Sequence, residues 1–315
     1  MEFMKKFLRS IIMSKHSLIG APSGFSFNQK NYLEVFKHLS GIVEAEGFEY
    51  IDTPVFDFFE VYERTLGTTS TKELFVIKDE NNEFLVPRYD ITTQIVRFLG
   101  PRINDVKLPV KLYYFGDVFR TPNSEWHRKQ IKQFGVEVIG SYDEEEMVSL
   151  LKKLLDKLRE LSIIEDYKVI FNFAVILDKL TENFDSEDKE LFIELLRVKD
   201  LTSISKIFGG KGKEILEIFR EFLKMSSEDT LRLILRKVKV SDSVDKGFQS
   251  MKSCFGDKML FDPLLVPSMS YYNGMYFVVY ASNYNDPVAS GGRYDSLTQR
   301  FGYSQSAMGF AIDMP

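Results

Sequence analysis

Residues 109–140 read PVKLYYFGDVFR (109–120), TPNSEWHRK (121–129) and QIKQFGVEVIG (130–140), and their pattern decides the fold. Two runs rich in Tyr, Phe, Val and Ile flank a polar segment holding Pro122, Asn123 and Ser124, which predicts antiparallel strands joined by a long loop. Loops of that length are seldom plain connections. On the return strand the side chains alternate, so Gln133, Gly135 and Glu137 share one face while Phe134, Val136 and Val138 take the other. A glycine between two hydrogen-bonding side chains leaves room for the body of a ligand, and Gln beside Glu suits an ammonium or imidazole group. The same pattern also fits a half-exposed strand whose polar face is solvated.

Composition bounds the rest. The chain of 315 residues is 44% hydrophobic and 28% charged, which places it among globular proteins of one large or two medium domains. A formal net charge of −5 supplies no general attraction for nucleic acid. The single cysteine, Cys254, excludes an intramolecular disulfide, and His16, His38 and His127 show no metal-ligand spacing. We therefore expect a reducing, cytoplasmic setting with no metal and no cofactor. The opening MEFMKKFLRSIIMSKH (1–16) is basic and partly apolar, but Arg9 and Ser10 interrupt it before a signal-peptide core forms. No apolar run approaches the ~18 residues needed to cross a bilayer, so no membrane partner is expected.

In chain order, Leu33, Phe36, Leu39, Ile42 and Val43 predict a helix over 28–46, stopped at Gly47. GFEYIDTPVFDFFE (47–60) predicts a strand through Tyr50 and Ile51 that breaks at Pro54. The turn Asp79-Glu80-Asn81-Asn82 makes a hairpin of LFVIK (74–78) and EFLVP (83–87). Arg88, Asp90 and Thr92 follow at once. Arg88 has a plain reading as a surface charge, and Asp90 or Thr92 as the cap of a helix over 93–99. Asp143 and Glu146 open a long amphipathic helix marked by Met147, Leu150, Leu151, Leu154, Leu155, Leu158 and Leu161. From 185 to 244 the texture changes to three charged amphipathic helices, turned at Gly209-Gly210 and Ser226-Ser227. The sheet resumes at 259–266, with Asn273-Gly274 as a hairpin signal between aromatic strands. Ser290-Gly291-Gly292 allows close backbone approach before a helix over 294–300, and SAMGFAIDM (306–314) closes the sheet. The division expected is a core first part (1–180), an inserted helical module (181–250) and a core second part (251–315).

GFEYIDTPVFD, VPRYDITTQIVR (86–97), the 109–140 hairpin, PSMSYYNGMYFVVY (267–280) and ASGGRYDSLTQRFG (289–302), in that order, resemble the catalytic core of class II histidyl-tRNA synthetases. The resemblance spans most of the chain outside the helical module. It implies an α+β fold, a six- or seven-stranded antiparallel sheet flanked by helices, dimerising around Pro54. It implies that Asp90, Thr92 and Gln133 meet the α-amino group of histidine, and that Glu137, Tyr271 and Tyr272 wall its imidazole. Arg88 and Arg120, with Gly291 and Gly292, make a second candidate group beside that pocket.

Two features depart from synthetase chemistry. Adenylate formation needs cations around developing negative charge, and Pro267 stands where the family places an arginine. Thr121 and Pro122 follow Arg120 where the family has an acidic residue. The sequence ends at GFAIDMP, where an adenine-stacking arginine and an anticodon-binding domain would be expected to follow. A histidine pocket without those features resembles the regulatory subunit of ATP phosphoribosyltransferase. That resemblance implies a partner, the short-form catalytic subunit, in a hetero-oligomer containing a homodimer of this chain, with histidine as feedback effector and no catalytic residue of its own. A divergent synthetase-like enzyme using ATP, or a scaffold with a vestigial pocket, are the other readings.

Overall fold

Strands β5 (Val110–Phe119) and β6 (Gln130–Ile139) pair antiparallel, with Tyr114 opposite Gly135 and Leu112 opposite Glu137. The computed structural model describes residues 32–63, 74–121, 128–222, 225–238, 242–267 and 269–314. The basic stretch 1–16, the expected helix start at 28, and Pro122, Asn123, Ser124 and His127 of the hairpin loop lie outside the described residues. Helix α1 (Tyr32–Ala45) leads through Gly47, at φ 83°, into β1 (Glu49–Tyr50). Next come β2 (Phe56–Phe58), β3 (Ile77–Lys78) and β4 (Phe84–Pro87), a small separate sheet in the order β2-β4-β3. Helix α2 (Ile91–Leu99) precedes the hairpin and α3 (Glu144–Glu160) follows it. Then come β7 (Tyr167–Phe173) and α4 (Ala174–Leu180). The helical stretch comprises α5 (Ser186–Arg197), α6 (Leu201–Ile207), α7 (Gly209–Phe222), α8 (Ser227–Val238) and α9 (Asp242–Phe255). The chain returns through β8 (Met259–Phe261), β9 (Met275–Ala281), β10 (Ala289–Arg293), α10 (Asp295–Arg300) and β11 (Ala307–Met314).

Among the described residues the main sheet has eight strands in the order β1-β5-β6-β11-β10-β9-β7-β8. It is mixed rather than wholly antiparallel, because the pairs β1/β5 and β7/β8 at its two edges are parallel. Parallel neighbours need long crossovers, and here the chain travels through helices before β5 and before β8. The alternation on β6 runs as its sequence implies. Phe134, Val136 and Val138 enter one core with Leu151 and Leu154 of α3. Ile131 and Ile139 enter a second core, on the opposite face, with Ile91 and Ile95 of α2 and Leu297 of α10.

Three expectations are corrected. The helical stretch holds five helices instead of three: Asp200 caps α6 by accepting from Ser203 N and Oγ at 2.9 and 2.6 Å, and α9 continues to Phe255. Asn273-Gly274 makes no hairpin. Asn273 N donates to Arg293 O and Gly274 O accepts from Ala174 N, while β9 pairs with β7 and β10, so tertiary pairing overrides the dipeptide's turn preference. The strand expected over 259–266 stops at Phe261, because Asp262 accepts from Leu264 N at 2.8 Å in a turn through Pro263. The helices α5 to α8 share the first core, with Phe192, Leu196, Ile204, Leu216 and Ile234 in one cluster with Phe171 and Phe261 of the sheet.

The small sheet is tied to α2 through a buried carboxylate. Asp57, 5% exposed, accepts from Arg97 Nη2 at 2.7 and 2.6 Å and from Gln94 Nε2 at 3.2 Å. Removing it leaves two donors unanswered, so Asp57→Ala should cost about 1–3 kcal/mol in urea unfolding. Asp52→Ala, at a carboxylate 73% exposed and 3.7 Å from Arg88, should change stability by less than about 1 kcal/mol. Equal losses from the two variants would contradict this account.

Candidate functional site

Residues from three separated stretches meet on the second face of the main sheet. The floor is β6 with its neighbours: Glu137 lies beside Gly309 and Gly135 beside Ala311 of β11. A Cβ at Gly309 would meet the Glu137 carboxyl, and one at Gly135 would meet the Tyr114 ring, so both glycines are required by close packing. Glu137 is 1% exposed, and each of its oxygens has a hydroxyl partner: Thr92 Oγ1 at 2.5 Å and the Tyr294 hydroxyl. Burial pushes its pKa up to about 8, and Asp90 raises it further, against the two hydroxyl bonds that lower it. Tyr271 and Tyr272 wall the site, with ring centroids 5.1 Å apart and 5.8 and 6.5 Å from that of Tyr294. Ser296 Oγ holds this segment by donating to Tyr271 O at 2.7 Å.

The expected residues divide. Asp90, Thr92, Gln133, Glu137, Tyr271 and Tyr272 line one cavity together with Arg120. Asp90, however, acts as the N-cap of α2: Oδ1 accepts from Thr93 N at 2.6 Å and Oδ2 from Thr93 Oγ1 at 2.9 Å. The capping alternative therefore holds for Asp90, which positions Thr92 in the first helical turn. Arg88 is not in the site. It is 4% exposed, donating from Nε to Asp117 O at 2.5 Å and from Nη1 to Thr53 O at 2.6 Å, and it fills the space above Gly116. Gly291 and Gly292 are also absent from the cavity. Their close approach is to neighbouring strands, since a Cβ would meet Phe310 at Gly291 and Tyr276 at Gly292. Arg120 is 6% exposed, with Nε donating to Tyr89 O at 3.1 Å and its guanidinium 5.0 Å from the Tyr89 ring. Tyr114, Tyr294 and Ser290 also line the site, and the sequence reading did not single them out. Tyr294 stands in the quoted motif 289–302, so only its role was hidden.

The cavity measures about 30 Å³, room for about two water molecules. An amino acid enters only if the Tyr271–Tyr272 segment moves. On the far side of Tyr272 lies a second cavity of about 560 Å³, bordered by Pro267, Ser270, Arg300 and, from α5, Ile193 and Arg197. The largest cavity, about 1,000 Å³ between the start of α3 and α9, shares no lining residue with the site. Among the described residues no group of three or more His, Cys, Asp or Glu is placed to hold a metal ion, and no helix is long and apolar enough to cross a membrane.

The fold and this floor define a histidyl-tRNA synthetase-like protein. The histidyl-tRNA synthetase family model matches residues 28–315, and the chain belongs to that family. It is 29% identical over 304 residues to the ATP phosphoribosyltransferase regulatory subunit of Clostridium kluyveri, covering 90% of this chain and 76% of that one. It is 27% identical over 297 residues to the histidine–tRNA ligase of Pyrobaculum neutrophilum, covering 89% and 69%. Among solved structures, the fold matches an ATP phosphoribosyltransferase regulatory subunit/histidyl-tRNA synthetase from Bacillus halodurans at TM-score 0.79 and 20% identity, covering 95% of this chain and 81% of that one. It matches a chain of the ATP phosphoribosyl transferase (HisG:HisZ) complex from Thermotoga maritima at TM-score 0.65 and 16% identity, covering 90% and 97%.

The raised Glu137 pKa has a measurable sign. The folded chain keeps this proton up to about pH 8, whereas an unfolded glutamate releases it near 4.5, so the folded state holds the extra proton between those values. The residue's contribution therefore falls as pH rises through that window, by about 1.4 kcal/mol per pH unit. Glu137→Gln does not titrate there. Its unfolding free energy should decline less between pH 5 and 8 than that of the wild type, and parallel pH curves would contradict the assignment.

Proposed function

We propose that this chain is the non-catalytic regulatory subunit of ATP phosphoribosyltransferase. It acts with the short catalytic subunit at the first step of histidine biosynthesis and takes histidine as feedback effector. The observation that carries the reading is one pocket in which Gln133, Glu137, Thr92, Tyr271 and Tyr272 converge with Arg120, while Pro267 borders the neighbouring cavity in place of a cation. A proline supplies no charge for a developing phosphate transition state. Relatives named as regulatory subunits support the assignment, as does the likeness in fold to a chain of the transferase complex. Reconstitution tests it. Mixed with a short-form catalytic subunit, the chain should form a complex, raise phosphoribosyl transfer, and make that transfer sensitive to histidine. Alone it should show no histidine-dependent exchange of pyrophosphate into ATP, and exchange above background would favour the synthetase-like alternative. Pro267→Arg alone should not bring exchange about.

Within the hetero-oligomer the chain forms a homodimer through the segment 48–59. Phe56, Phe58 and Ile77 are 54%, 49% and 43% exposed. The register places Phe58 opposite Leu85 and Leu85 opposite Ile77, so these rings and chains make one apolar row on the small sheet. Such a row marks an interaction surface, and two-fold dimers are the commonest symmetric assemblies. Phe58→Asp should shift the protein from dimer to monomer at micromolar concentration in sedimentation velocity. An unshifted dimer would place the interface elsewhere.

A further inference from the structure

The floor of the site continues past the residues the family resemblance points to. On β11, Gly309, Ala311 and Asp313 stand directly beside Glu137, Gly135 and Gln133 of β6. A carboxyl therefore sits at each end of the floor, with the two small residues between them. Asp313 is 2% exposed, and its Oδ1 accepts from Gln133 Nε2 at 2.8 Å. Its Oδ2 is buried and has no hydrogen-bond partner.

That open oxygen distinguishes Asp313 from the other two buried carboxyls of the site. Both oxygens of Glu137 are held by hydroxyls, and both oxygens of Asp90 by Thr93. A buried acceptor without a donor is costly and calls for an explanation. The groups facing Asp313 are Gln133, Arg120, Arg128 and Asp286. Arg128 is held by Met314 O at 2.9 Å and Asp286 at 3.6 Å. Arg120 lines the cavity, with Asp313 and Asp90 both acting on its charge. Burial holds the Asp313 pKa up at about 6, so the carboxyl is poised to ionise when a cation arrives.

We propose that Asp313 is the carboxylate that takes the α-ammonium of the bound amino acid, sharing it with Gln133, while Arg120 alongside takes the α-carboxylate. The inference rests on the histidine-binding reading above and changes its details. Asp90 becomes a positioning residue for α2, and Asp313 becomes the residue that selects a zwitterionic ligand over one lacking an ammonium group. The ligand's ammonium supplies the donor that Oδ2 lacks.

Calorimetry on the full chain with three ligands tests this: L-histidine, histamine, which lacks the carboxylate, and 3-(imidazol-4-yl)propionate, which lacks the ammonium. Asp313→Asn keeps the shape and the bond from Gln133 while removing the charge. It should weaken L-histidine and histamine about tenfold or more and leave imidazolylpropionate unchanged or tighter. Unchanged histidine affinity overturns the proposal, as does an equal loss for all three ligands, which is the mark of a structural role. Should Asp313→Asn not fold, judged by its thermal melt, Asp313→Ser carries the same comparison. In the wild type, imidazolylpropionate binding as tightly as histidine also overturns it. A wild-type chain that binds none of the three instead removes the histidine-site reading, and this proposal with it.

Discussion

The Glu137 carboxyl is the fixed point of the site. It projects from a central strand, and its two oxygens are held by hydroxyls from different elements, Thr92 in the first turn of α2 and Tyr294 just before α10. Two helices that meet the sheet from separate parts of the chain are thereby set in register with one buried group. With its pKa near 8 the carboxyl is neutral at pH 7, so one of the two contacts runs in reverse, the carboxyl donating to a hydroxyl oxygen. Neutrality removes the penalty of a buried charge. It also leaves a group whose charge can change when a basic ring is placed against it.

Much of this was legible in the local pattern. Alternation along 130–139 separated the core-facing Phe134, Val136 and Val138 from Gln133, Gly135 and Glu137, because a strand has only two faces and the apolar set chooses between them. Asp90 carried two readings, and both apply in part: it is the cap of α2, and it also borders the cavity. Asp313 was out of reach. It meets Gln133 only through the pairing of strands 180 residues apart, and no local periodicity fixes that register. Asn273-Gly274 shows the opposite failure, a strong local signal overridden by hydrogen bonds to Arg293 and Ala174.

Arg88 and the Gly291-Gly292 pair show why residue type alone misleads. An arginine beside a candidate pocket and a pair of glycines both suggest an anion. Here the arginine joins Thr53 to Asp117 across a buried gap, and the glycines let β9, β10 and β11 approach one another. Each answers a packing demand of the sheet. The cation that reaches the site is Arg120, which arrives from the end of the hairpin and is held against Tyr89.

Tyr272 separates a space of about 30 Å³ from one of about 560 Å³, and this partition sets how the protein responds to a small molecule. The segment it belongs to yields only toward the larger space. Apparent affinity is the intrinsic affinity scaled by the fraction of molecules already open, so an open fraction of about one in a hundred raises the dissociation constant about a hundredfold. The closed form is held in part by α5, whose Arg197 donates from Nη2 to Pro267 O at 3.3 Å. Whatever steadies α5 therefore lowers sensitivity to the small molecule, and by reciprocity the bound molecule loosens α5 by the same factor. The helical stretch is in this sense the threshold setting of a concentration gauge whose needle is a pair of tyrosines.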